Sequence, residues 1–159
     1  MFKLIGSAII LIASALFGIN KYNTYYERKR LLLAIRDGVE QVENNLRCAC
    51  PPLYDCFLCS GEFFEKAALL IGQGAYPQEA VKEAARSFHF LKKEDVALID
   101  RFAAGLCAQD LAGQLSNTAY FSSQLEKNII VAEDELNSRG KLFLKGCLLT
   151  AAAVVILLI

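Results

Sequence analysis

The sequence predicts an all-α protein, a helical bundle with an apolar helix at each end. Three observations carry this. Apolar residues recur at steps of three and four over long stretches. No stretch alternates apolar with polar residues between turn signals, so strands are not expected. Charge is confined to the middle of the chain, with none between Lys3 and Lys21 and none after Lys145, although 21% of the 159 residues are charged and 55% are hydrophobic. That length suits one domain of ordinary size.

The first element is the uncharged run Leu4 to Ile19. Sixteen residues of helix rise about 24 Å at about 1.5 Å each, a little short of the roughly 20 residues that span a bilayer core. Phe2 and a snorkelling Lys3 lengthen it, so residues 2–20 are expected to form an N-terminal transmembrane helix. A secretory signal peptide is the rival reading, because Lys3, Leu4 to Ile12 and Ala13-Ser14-Ala15 mimic its three regions. Against cleavage, Leu16 to Ile19 carry the apolar run onward, and Lys21, Arg28, Lys29 and Arg30 follow. Positive charge on that flank holds it in the cytoplasm. Arg139, Lys141 and Lys145 repeat the signal before a second apolar run, so residues 142–159 are expected as a C-terminal transmembrane helix and 21–141 as a cytoplasmic helical domain.

Within that domain, Leu32, Ile35, Val39, Val42 and Leu46 form one face of a helix from Asn23 to Arg47. Arg36 with Glu40 and Glu43 with Arg47 are i,i+4 pairs on its other side. Pro51 and Pro52 end it. A second helix is expected from Leu53 to Ile71, closed by Gly72-Gln73-Gly74, and Pro77 opens a third whose Ala80, Ala84 and Ala85 allow close packing. A fourth runs from Lys92 to Leu106 with Ile99, Phe102 and Leu106 inward. The longest runs from Gln109 to Arg139, carrying Leu111, Leu115, Thr118, Ser122, Leu125, Ile129, Ala132 and Leu136 at heptad spacing. Gly113 costs it about 1 kcal/mol relative to alanine. Polar Thr118 and Ser122 interrupt the seam, which favours packing within the chain over an extended coiled coil. The two long helices are expected to lie antiparallel, with the shorter ones across them.

Charge also limits function. Seventeen basic and seventeen acidic residues cancel, and no basic stripe is interleaved with aromatics, so a nucleic-acid partner is not expected. Cys48, Cys50, Cys56 and Cys59 form C-x-C-x5-C-x2-C, of which only the C-x2-C half has zinc-ligand spacing. In a cytoplasmic domain such thiols read first as small buried apolar residues, as do Cys107 and Cys147. His89, the single histidine, has no sequence signal linking it to Cys107 as base and nucleophile. Gly72-Gln73-Gly74 reads as a helix cap, lacking the strand that a phosphate-binding loop requires. Glu133-Asp134-Glu135 point in successive helical directions and read as a solvated face. No catalytic residue, cofactor site or metal site is assigned. Asp110 and Gln114, one turn apart at the start of the longest helix, are the candidate partner contact, with helix capping by Asp110 as the alternative.

Three stretches resemble a known family. Met1 to Gly6 is similar to its opening, Pro52-Leu53-Tyr54-Asp55-Cys56-Phe57 to its PL-x-E-A-F segment, and Leu91 to Asp95 leads into Leu106 to Gln114, which resembles its LG-x-SD-x-x-x-Q. Leu106, Asp110 and Gln114 match; Cys107 and Gln109 depart, as does the cysteine-rich 48–59 segment. The family is that of stage III sporulation protein AB. The resemblance implies a non-enzymatic membrane component of the apparatus linking mother cell and forespore, similar to the inner-membrane platform domains of type II secretion and type IV pilus machines. It further implies the stage III sporulation protein AA ATPase and other proteins of that complex as partners, in the mother-cell membrane around the forespore, and is compatible with a homo-oligomer. Two other readings rest on the thiols: a zinc- or thiol-dependent membrane regulator using residues 48–59, and a secreted, tail-anchored disulfide protein.

Overall fold

The structure, a computed structural model, describes residues 2–48, 52–106 and 110–158. Its elements are α1 (Phe2–Cys48), α2 (Leu53–Leu58), α3 (Glu62–Gly72), α4 (Pro77–Arg86), α5 (Lys93–Gly105), α6 (Leu111–Glu135), a π-helical turn (Leu136–Gly140) and α7 (Lys141–Leu158). No strand occurs among the described residues, and the protein is all-α. It divides into two compact units, one of Met1–Lys29 with Val131–Ile159 and one of Arg30–Ile130.

The unit of residues 30–130 holds the larger core. The predicted stripe of α1 is buried throughout, with Leu32, Ile35, Val39 and Val42 at 0% exposure. The expected helix 53–71 is in fact two. Pro52 opens α2, whose Cys56 and Phe57 are buried, and the chain then turns through Gly61 at φ +90°, a left-handed conformation that glycine adopts without strain. Gly38 makes room for that turn: a Cβ there would collide with the carbonyl oxygen of Ser60 and with the Phe64 ring. Buried Ser60 satisfies its hydroxyl locally, donating to the Cys56 carbonyl at 2.5 Å.

α3 buries Phe63, Phe64, Ala67 and Ala68 and ends at Gly72; the chain leaves it through Gly74, φ +96°, and the Ala75 N–H donates to the Leu70 carbonyl at 3.0 Å. Pro77 opens α4, whose inward face of Ala80, Val81, Ala84 and Ala85 lets it pack against both α3 and α5. Aromatic rings knit the core, with Phe57, Phe63, Phe64 and Phe88 in tilted or edge contact and Phe102 stacked on Phe121 at 4.3 Å. Along α6 the seam runs through Thr118, Phe121, Leu125 and Ile129. Phe121 takes the place assigned to Ser122, because a ring buries far more apolar area than a hydroxymethyl group. Thr118 is fully buried at no polar cost, since its Oγ1 donates to the Gln114 carbonyl at 2.8 Å. Across this seam, Arg36 of α1 lies 3.7 Å from Glu126 of α6 and 2.9 Å from Asp37, and Glu40 is not its partner.

In the other unit, the start of α1 runs antiparallel to α7 and the π turn. Ser14 donates to the Cys147 carbonyl at 2.6 Å, Phe17 meets Phe143 at 5.9 Å, and Gly18 faces Leu144 and Cys147. Gly140 faces Tyr22 and Tyr25, and Arg28 pairs with Glu135 at 2.7 Å. Each step forward on α1 meets a step back on the other strand of helix.

The transmembrane helices expected at 2–20 and 142–159 find no support in the described residues. Among the described residues no helix is long and apolar enough to cross a membrane. Lys141 and Lys145 interrupt the apolar stretch at the start of α7.

Candidate functional site

The residues that drew attention for chemistry are not brought together. Cys56 is buried on the inner face of α2, whereas Cys48 and Cys59 are exposed; Cys50 and Cys107 lie outside the described residues. Among the described residues no group of three or more His, Cys, Asp or Glu side chains could hold a metal ion. Cys147 is half-buried, with its carbonyl engaged by Ser14. His89 is exposed in the turn between α4 and α5. The Gly72-Gln73-Gly74 segment caps α3.

The acidic triplet departs from its reading as a solvated face. Glu133 pairs with Lys29 at 2.8 Å, and Glu135, only 14% exposed at its side chain, holds Arg28, which is 5% exposed. Arg28 lies four residues before Leu32 on the same stripe of α1, so extending the heptad backward would have found it. A second polar fastening was missed altogether. Asp95, 1% exposed, accepts from the Lys92 backbone N–H at 3.0 Å and from Asn128 Nδ2 at 2.9 Å. Its position three residues after Lys92 is the carboxylate half of a capping box, a signal the lysine obscured.

The Asp110–Gln114 corner lies where α5 gives way to α6. Asp110 is exposed, and its Oδ1 accepts the Gly113 N–H at 3.0 Å, capping α6. Gln114 is half-buried and reaches back, Nε2 donating to the Leu106 carbonyl at 3.0 Å. One turn on, Asn117 Nδ2 donates to the Phe102 carbonyl at 3.1 Å, against Gly105, where any Cβ would meet the Asn117 amide. Two side-chain amides thus satisfy the last carbonyls of α5, which a helix end otherwise leaves to water. Among the described residues the corner presents one solvent-facing carboxylate, that of Asp110.

The chain matches the family described as Stage III sporulation protein AB over residues 3–159. It belongs to the stage III sporulation protein AB family. A solved structure titled Stage III sporulation protein AB is similar in fold, with a TM-score of 0.61 and 17% identity over 69% of this chain and 96% of that one. A comparison with curated proteins finds no match. The chain is thus a sporulation protein of this family, and the described residues of the three stretches that resemble it in sequence lie in α1, at α2 and along α5 and α6.

Proposed function

We propose that this chain is a non-enzymatic platform component of a mother cell–forespore transport apparatus, coupling the stage III sporulation protein AA ATPase to a membrane complex. One observation carries the reading: exposed apolar bulk is concentrated in the unit built from the chain ends. There Leu16 is 63% exposed and Ile156 76%, with Ile12, Phe17, Leu142 and Leu149 also in the open, whereas the stripes of residues 30–130 are buried. Apolar area left in water costs about 25 cal/mol per Å², so such ends favour a lipid surface. Basic residues at 21–30 and 139–145 favour a cytoplasmic side for the segment between them.

Asp110 and Gln114 are the proposed ATPase contact, with Asp110 supplying the charge and Gln114 holding the corner in shape. The test is Asp110→Asn, which keeps a capping oxygen and removes the charge. Binding of the AA ATPase to the full chain in vesicles should fall about tenfold with helicity unchanged, as expected for loss of a charge-assisted contact. Normal binding by the folded variant refutes the contact. Impermeant labelling of a cysteine placed at Ser87 in intact cells, in a background without native thiols, tests the cytoplasmic placement; strong labelling refutes it.

A further inference from the structure

A groove of about 280 Å³ along α5 and α6 has no role assigned above. Glu94, Ala97, Leu98 and Arg101 line it from α5, at i, i+3, i+4 and i+7, and Tyr120 and Asn128 from α6. Glu94 and Arg101 are exposed, and neither makes an ion pair or hydrogen bond among the described residues. Some exposed charges of the same unit are answered locally, Arg47 by Glu43, Lys66 by Glu62 and Arg86 by Glu83. Glu94 and Arg101 cannot answer each other, because seven residues of helix separate them by about 10 Å and side-chain pairs form at three or four.

We propose that two copies of this chain pair through this groove, their α5 helices antiparallel across a two-fold axis, so that Glu94 of each copy meets Arg101 of the other. The pattern is self-complementary. Its midpoint falls between Ala97 and Leu98, and turning an identical helix end for end about that point sets Glu94 opposite Arg101 and Ala97 opposite Leu98, twice over. This is what an isologous interface requires. A parallel arrangement would set like charges together. Ala97 is small enough for the helices to approach to about 8–10 Å, with Leu98 as the apolar contact beside it. Tyr120, 53% exposed, stands at the rim of the same groove, and tyrosine and arginine are the residue types that anchor interfaces. The Asn128–Asp95 hydrogen bond fixes the opposite wall before any partner arrives. The proposal is independent of the ATPase contact.

The test uses the full chain in mild detergent, with self-association measured by sedimentation and by energy transfer between labelled copies. The wild type is expected to form a reversible dimer that weakens with salt. Glu94→Arg and Arg101→Glu, each placing two like-charge pairs in the interface, should each weaken it about tenfold or more. An equimolar mixture of the two should recover a heterodimer near wild-type strength, since both contacts are again opposite in sign. The doubly exchanged chain should self-associate like the wild type, a result that loss of fold or of α5 stability does not mimic. If either exchange disturbs helicity, Arg101→Gln gives a milder weakening by the same logic. A monomeric wild type overturns the proposal and returns the groove to a different protein. So does association unmoved by any exchange, which places the contact elsewhere, or a mixture no tighter than its components.

Discussion

Asp95 of α5 and Asn128 of α6 are joined at 2.9 Å, and the other carboxylate oxygen of Asp95 holds the Lys92 backbone N–H at 3.0 Å. One buried side chain therefore starts a helix and ties it to a neighbour. Asp95→Ala should cost about 2–3 kcal/mol, the sum of a lost cap and a lost charge-assisted bond. Urea unfolding of the full chain measures it. A double-mutant cycle with Asn128→Ala should show coupling of about 1 kcal/mol, and additivity would show that the bond contributes nothing of its own.

Gly38 reverses a familiar sign. Alanine for glycine within a helix normally gains up to about 1 kcal/mol. At Gly38 the added methyl meets a backbone carbonyl and an aromatic ring, so Gly38→Ala should destabilise by about 2 kcal/mol. Gly146, with nothing within 4 Å of a built Cβ, is the control, and Gly146→Ala should be neutral or stabilising. Equal effects in thermal melts would remove the packing argument.

Arg28 and Glu135 form the most buried ion pair described here. Arg28→Met leaves a carboxylate whose remaining contact includes Arg139 at 3.5 Å, and should cost about 2–4 kcal/mol. Arg28→Met with Glu135→Leu should cost less than the single change, because no unpaired charge is left behind. Melting temperatures of the three proteins decide it.

Leu125, fully buried on the α6 seam, gives a coarser check. Leu125→Asp buries an unpaired charge and should cost several kcal/mol, enough to unfold a marginal domain. An unchanged melting temperature would mean that the seam lies elsewhere.

The helices were legible because their stripes are long: Leu32 to Leu46 keeps its spacing for two heptads and is buried as read. The break at residues 59–61 was not, since one glycine weakens a helix by only about 1 kcal/mol and does not by itself end it; the close approach of Gly38 to Ser60 is what fits the turn to α1. Phe121 was overlooked in favour of Ser122 because strict heptad counting outranked side-chain size. Asp110, read in sequence as a partner contact with capping as the alternative, does cap α6, whereas Asn117 and Gln114 act across 15 and 8 residues of chain, separations that no local pattern encodes. Arg28 was counted as part of a basic flank, a reading of composition that hides the position of each charge on its helix.

The π turn at Leu136–Gly140 sets the phase of everything after it. There the Lys141 N–H donates to the Leu136 carbonyl, five residues back, so the turn carries one residue more than an α turn. Each residue of an α-helix advances the side chains by roughly 100°. Without that extra residue, Leu144 and Cys147 would point well away from Gly18 and Ser14, and a different set of side chains would face α1. The turn behaves as a vernier, a single-residue adjustment in which a deletion anywhere from 136 to 140 would re-index the whole C-terminal helix without altering one of its amino acids.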